Sequence, residues 1–276
     1  MSTVAKSELD TPYPLDAATI EEFRRDGFIR LPSVLDAKTL ADITPEISRM
    51  VDEGNRLKDI PLDQRTLYDQ AFIQVMNLWT RNDRVREFAF SQRLARIAAE
   101  LLGTRGIRMW HDQALYKEPS GSFTPWHVDQ HYWPMASSHS VTAWIPLQPV
   151  PIEMGPLCFG RGSHLKRIGR DIEISAESEQ LISDAVRKEK IDEVQEPYQL
   201  GDVSFHLGWT LHRAGPNTTN ELRRVFTIIY MDVDMRLAAP KNKNQQADWD
   251  TWTPSSKIGE IMTDPLNPVL YVQEGA

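Results

Sequence analysis

The chain has 276 residues, 41% hydrophobic and 25% charged, an ordinary globular composition. A formal charge of −8 with no Lys/Arg block argues against nucleic acid or an acidic membrane as the main partner. Cys158 is the only cysteine, which excludes an intramolecular disulfide and a thiolate metal cluster.

The opening MSTVAKSELDTPYPLD is polar and lacks the apolar core of a signal peptide. The longest apolar stretches, such as Val225 to Met231, are too short to span a bilayer. A cytoplasmic protein is expected. After Asp16, the spacing of Ile20 and Phe23 predicts a helix that stops at Gly27. Phe28 to Leu31 is a short apolar piece ended by Pro32. Asp36 can cap a second helix carrying Leu40, Ile43, Ile47, Met50 and Val51, in which Pro45 implies a kink or a late start. A third helix follows Ser91, with Leu94, Ile97, Leu101 and Leu102, and ends at Gly103.

From Gly106 the texture changes to short apolar or alternating runs punctuated by Gly, Pro and Asn. These are Ile107 to Lys117, Ser140 to Leu147, Leu157 to Gly160, Val203 to Leu207 and Leu222 to Val233. A helix over roughly Ser175 to Lys190 is inserted among them, with ends uncertain by about two to four residues. From Ala239 to Leu266 no period of two or 3.6 persists, so little regular structure is expected there. Trp249 and Trp252 make that segment either a mobile lid or a surface wrap. The expectation is a single domain over 1–276: a mostly helical front to 104, a β core over 105–235, and a C-terminal wrap or lid over 236–276.

The chemistry concentrates in Pro125-Trp126-His127-Val128-Asp129. On a strand, His127 and Asp129 share a face and supply two-thirds of a facial metal triad. His212, just before the turn Gly215-Pro216-Asn217, is the candidate third ligand. On the return strand, alternation puts Arg223, Val225, Thr227 and Ile229 on one face and Arg224, Phe226, Ile228 and Tyr230 on the other. An arginine beside a metal-ligating histidine is costly unless it pairs with an anion. A cosubstrate carboxylate gripped by the guanidinium fork meets that need. His131 extends the motif to H-x-D-x-H and is read as facing substrate or solvent, with a supporting role near the ligands as the alternative. His206 reads as a core histidine, His111 and His139 as lying near strand ends, and His164 as part of a structural turn. Trp144 reads as core and Arg224 as solvated or helix-facing.

H-V-D, then Gly155 to His164 (GPLCFGRGSH), then G-D-V-S-F-H and H-R-A-G-P-N (His212 to Asn217) with Arg223 resemble the phytanoyl-CoA dioxygenase family. F-R-R-D-G-F (Phe23 to Phe28) resembles its entry segment, and the similarity runs at least from Phe23 to Val233. The resemblance implies an Fe(II)- and 2-oxoglutarate-dependent oxygenase that uses O2. Its fold would be mainly β with flanking helices, a double-stranded β-helix (jelly-roll, cupin-like) core packed by the N-terminal helices. It implies His127, Asp129 and His212 as iron ligands and Arg223 as the partner of the 2-oxoglutarate C5 carboxylate. Gln113 and Thr142 fall where relatives place cosubstrate contacts, and Trp133 where some place an aromatic near the substrate. Ala214 departs from relatives that carry a small hydroxyl residue there. The implied reaction is hydroxylation of a small or medium metabolite, with desaturation, cyclisation and epoxidation left open. A zinc hydrolase built on the same three ligands and a non-catalytic β-sandwich binding module are the rival readings.

Overall fold

A computed structural model describes residues 7–273; Met1 to Lys6 of the segment read as lacking a signal peptide lie outside the described residues. Helix α1 (Ala17–Asp26) starts where the Asp16 carboxylate accepts the Thr19 amide, and ends at Gly27 with φ 83°. An added Cβ at Gly27 would also fall 2.3 Å from the His164 ring. Strand β1 (Phe28–Leu31) follows. Helix α2 (Ala37–Gly54) is capped by Asp36 and runs continuously through Pro45, so it has no late start. Pro45 and the Ala41 carbonyl left without its helical donor both lie on the exposed face, where water can serve that carbonyl. Between α2 and the third expected helix lie α3 (Leu67–Ala71), β2 (Ile73–Met76) and α4 (Asp83–Ala89). Helix α5 (Gln92–Leu102) is capped by Ser91 and closed by Gly103 in the left-handed region.

The strands of the second half are β3 (Gly106–Lys117), β4 (Thr124–His127), β5 (Ser140–Pro146) and β6 (Leu157–Gly160). Helix α6 (Ala176–Lys188) precedes β7 (Glu193–Gln195), β8 (Val203–Leu207), β9 (His212–Ala214) and β10 (Arg223–Asp232). The chain ends through α7 (Lys243–Trp252) and β11 (Val269–Val272). Helix α7 corrects the expectation of little regular structure between Ala239 and Leu266. Asn242 caps it by accepting the Gln245 amide at 2.8 Å.

Two antiparallel sheets result. The larger has seven strands in the order β1-β8-β5-β10-β3-β11 with β2 also on β3, and the smaller has four, β4-β9-β6-β7. The outer face of the larger sheet carries Phe226, Ile228 and Tyr230, which pack with Phe23, Leu40, Ile47, Leu94 and Ile97 from the helical front. Burying each such side chain is worth about 1.5–3 kcal/mol. Helix α6 covers the smaller sheet through Ile182 and Val186 against Trp126 and Leu211. The inner faces meet where Phe28 stacks on Phe159 at 4.4 Å. Trp144 and Val225 of the larger sheet join Leu157 and Ala214 of the smaller in one cluster. The mainly β architecture with flanking helices thus leaves an interior between the sheets, and the chemistry sits there. Among the described residues, no helix is long and apolar enough to cross a membrane.

Candidate active site

His127 ends β4, Asp129 opens a short 3-10 turn, and His212 starts β9, where it pairs with His127 across the sheet. Asp129 is therefore not on the strand that carries His127. One extended residue, Val128 (φ −126°, ψ 132°), carries the chain from the strand into the turn. One ligand atom from each of the three residues lies within 4.8 Å of the others. His127 Nδ1 faces the Pro125 carbonyl at 2.8 Å and His212 Nδ1 faces the Thr210 carbonyl at 3.0 Å. A carbonyl only accepts, so each Nδ1 carries the proton and each Nε2 keeps a free lone pair. Those lone pairs converge on Asp129 Oδ1, at 3.6 Å from His127 and 3.5 Å from His212.

The second carboxylate oxygen is held separately. Asp129 Oδ2 accepts the Thr142 hydroxyl at 3.0 Å and His206 Nε2 at 3.1 Å. His206 must donate through Nε2, so that nitrogen has no lone pair for a metal. It is a support for Asp129, not a core histidine packed for its own sake. Burial pushes the His127 and His212 rings down to about 4, leaving both neutral and ligand-competent. For Asp129, burial acts upward, but His212, His206 and His127 outweigh it and hold the carboxyl well below the usual carboxylate range. Two neutral imidazoles and one carboxylate, each oriented from behind, fit a divalent metal that keeps open positions.

A cavity of about 450 Å³ opens on these ligands. Arg223 lines one end and is 2% exposed. Its Nη1 donates to the Gly155 carbonyl, its Nε has no partner, and its guanidinium lies 5.6 Å from the Trp144 ring centre. No carboxylate pairs with it among the described residues. Burial lowers its pKa only to about 10, so it stays charged. A buried, unpaired guanidinium opening into a cavity is a site for an anion. Trp144, read as core, forms the wall of this site. Lys117, which pairs with Arg223 in the β3–β10 register, is fully buried and donates to the Ser122 and Gly215 carbonyls at 2.5 and 3.0 Å. Thr124 faces Ala214 across β4–β9 and lines the same end, bringing a hydroxyl opposite the position that lacks one.

Gln113, Thr142 and Trp133 also line the cavity. Gln113 Oε1 accepts Gln74 Nε2 at 2.5 Å, and Gln74 in turn accepts the Tyr68 hydroxyl at 2.9 Å. His131 does not reach the cavity. Its ring is 5% exposed, its Nδ1 meets the Arg170 carbonyl at 2.9 Å, and its own carbonyl accepts Gln245 of α7 at 3.0 Å. His111 lies well inside β3, not near its end, and lines the cavity. His139 precedes β5, and His164 Nε2 meets the Arg24 carbonyl at 3.1 Å. Arg224 points to the opposite face and binds Gln148 at 3.0 Å. Ala247, Asp248, Thr251 and Trp252 of α7 complete the lining. Sequence reasoning left out Thr124, Lys117 and Asp248; for Thr124, its place two residues before the H-x-D motif's tryptophan was an available signal.

The family model described as Phytanoyl-CoA dioxygenase (PhyH) matches residues 23–225. A probable alpha-ketoglutarate-dependent hypophosphite dioxygenase of Stutzerimonas stutzeri is 26% identical over 161 residues, covering 55% of this chain and 54% of that protein. The chain thus spans about half the length of that relative. The ectoine dioxygenase of Stutzerimonas stutzeri (strain A1501) is 25% identical over 263 residues, covering 86% of this chain and 83% of that one. Among solved structures, the epimerase SnoN in complex with Fe3+, alpha ketoglutarate and nogalamycin RO superposes with a TM-score of 0.76 at 26% identity. It covers 92% of this chain and 98% of that one.

Proposed function

The chain belongs to the phytanoyl-CoA dioxygenase family of Fe(II)- and 2-oxoglutarate-dependent oxygenases, and we propose that it oxidises a C–H bond of a small or medium metabolite, by hydroxylation. The overall balance is substrate, 2-oxoglutarate and O2 going to hydroxylated product, succinate and CO2. Bound by His127, Asp129 and His212, Fe(II) would supply the redox chemistry that joins O2 reduction to 2-oxoglutarate decarboxylation. The protein's residues do the rest. His127 and His212 offer neutral Nε2 atoms because Pro125 and Thr210 hold their protons on Nδ1. Asp129 offers Oδ1 because Thr142 and His206 occupy Oδ2. Arg223 binds the distal C5 carboxylate, with Thr124 adding the hydroxyl that Ala214 lacks. Gln113 borders the cosubstrate, and Trp133 helps to wall off water on the substrate side.

The observation that carries this reading is the charged, buried and unpaired Arg223 opening onto the same cavity as the His–Asp–His group. A zinc hydrolase would have no use for that guanidinium. The two facing sheets support a double-stranded β-helix within a single domain, and an Fe(II) enzyme with a free buried thiol at Cys158 suits the cytoplasm. The test is succinate release from 2-oxoglutarate with Fe(II), O2 and a metabolite library. The wild type should give substrate-stimulated succinate, and Asp129→Ala should give none. Full turnover by Asp129→Ala without an added carboxylate would sink the assignment.

A further inference from the structure

The cavity that holds the His–Asp–His group is electrically lopsided. Arg223 is the sole Lys or Arg among its lining residues. Along β10, Arg223 pairs with Lys117 and Ile229 pairs with His111. At strand spacing those six steps put the two ends about 20 Å apart. The rest of the lining carries carboxylates instead: Glu173, and Asp248 on α7, one helical turn before the Trp252 ring that meets His111. Glu173 is matched by Lys243 at 3.2 Å. Asp248 has no cation partner among the described residues; the Trp252 side chain is its hydrogen-bond partner, and the Tyr132 hydroxyl lies within reach of its charge. Burial pushes the Asp248 carboxyl up to about 7, so its charged form is held at a cost that a cation beside it would offset.

Two observations besides the carboxylates point to a ligand here. His111 is 4% exposed, and its Nδ1 has no hydrogen-bond partner. Burial also pushes its ring down to about 3, so it adds no positive charge. The walls are aromatic, with Trp252 5.4 Å from the His111 ring and Tyr132 and Trp133 on the same lining. A carboxylate among aromatic faces, with no Lys or Arg paired to it, suits an organic cation. An anionic substrate would meet like charge on entry, and a neutral one would leave Asp248 unmatched.

We propose that the His111 end of the cavity recognises an ammonium group on the substrate, with Asp248 as its counter-ion and Trp252 against its face. The enzyme is therefore directed to an amine-bearing metabolite with an apolar body, not to an acyl-CoA. This assignment rests on the oxygenase reading, because it takes the other end of the cavity as filled by 2-oxoglutarate. The test uses three probes of one shape: cyclohexylmethylammonium, cyclohexylmethanol and cyclohexanecarboxylate. Their binding to protein loaded with Fe(II) and 2-oxoglutarate, without oxygen, is read by tryptophan fluorescence. The wild type should favour the ammonium over the alcohol by about tenfold and over the carboxylate by more. Asp248→Asn should abolish the preference and Asp248→Glu should keep it. A carboxylate that binds as well as the ammonium, or an unchanged ranking in Asp248→Asn, would overturn the assignment. Calorimetry of 2-oxoglutarate on the same samples reads the oxygenase proposal separately, so the two can fail independently.

Discussion

The two oxygens of Asp129 divide the work at the proposed metal site. Oδ1 faces the two histidines while Oδ2 is tied to His206 and Thr142. Removing such a support behind a metal ligand usually costs about 10–100-fold in metal affinity. His206→Phe should therefore weaken Fe(II) binding within that range, and Thr142→Val should weaken it less, measured by anaerobic equilibrium dialysis. Undiminished affinity in His206→Phe would make that ring a bystander. Arg223→Lys should raise the 2-oxoglutarate requirement because Lys lacks a planar fork. Arg223→Ala should do worse, and Arg224→Ala, on the opposite face, should do little; equal effects at 223 and 224 in a succinate assay would contradict the register. His111 sets a pH dependence. Its folded value of about 3 lies below the ordinary 6.5, so the unfolded chain binds the extra proton and stability falls as pH drops through 6.5 towards 3. Between about pH 7.5 and about pH 5, His111→Gln should lose less stability than the wild type by about 2 kcal/mol, read by urea unfolding of the metal-free protein. A matching loss in both proteins would show that the folded ring takes up its proton over the same pH range as the unfolded one. The proximity of His127 and Asp129 was legible in the H-x-D spacing, while His212, far along the chain, was legible only through its place before the Gly215-Pro216-Asn217 turn and the family resemblance. The role of His206 was not, because an alternating strand histidine looks the same whether it packs or supports a ligand.

At the level of elements, α7 shows what periodicity misses. The side packed on the core is Gln245, Trp249 and Trp252, at i, i+4 and i+7, and Ala247 is the only other apolar residue, so no aliphatic stripe marks it. Asn242 was the available start signal. The helix is tied to the core by Gln245 and Asn242, both donating to the His131 carbonyl, at 3.0 and 3.2 Å. Gln245→Leu should remove about 1 kcal/mol of docking. Amide exchange across Ala247 to Trp252 should accelerate while that of β10 stays unchanged. Equal acceleration in both would mean global destabilisation rather than local release. The same segment still poses the question of a lid against a fixed wrap. Slower exchange across Ala239 to Leu266 on adding 2-oxoglutarate and an amine probe would favour closure, and identical exchange would leave the wrap. Helix ends with side-chain caps, at Asp16, Asp36, Ser91 and Ser175, were readable from sequence for the opposite reason. A cap is a local device, written within four residues of the turn it closes.

For the whole molecule, five apolar runs foretold β3, β5, β6, β8 and β10, while the order in which they pair was not in the pattern. Sheet order depends on contacts far apart in sequence, such as β1 with β8, which no local period encodes. Strand β4 and strand β9 are too short, at four and three residues, to show a period, yet they carry two of the three proposed ligands. The two sheets suit the proposed chemistry by holding the proposed anion site at Arg223 and the proposed metal site at fixed separation on rigid strands. Anaerobic calorimetric titration of 2-oxoglutarate into Fe(II)-loaded protein probes that joint arrangement. One 2-oxoglutarate should bind per chain, with binding lost without Fe(II) and in Asp129→Ala, and weakened about tenfold or more in Arg223→Lys. Equal binding by the metal-free protein, or affinity unchanged by Arg223→Lys, would contradict it.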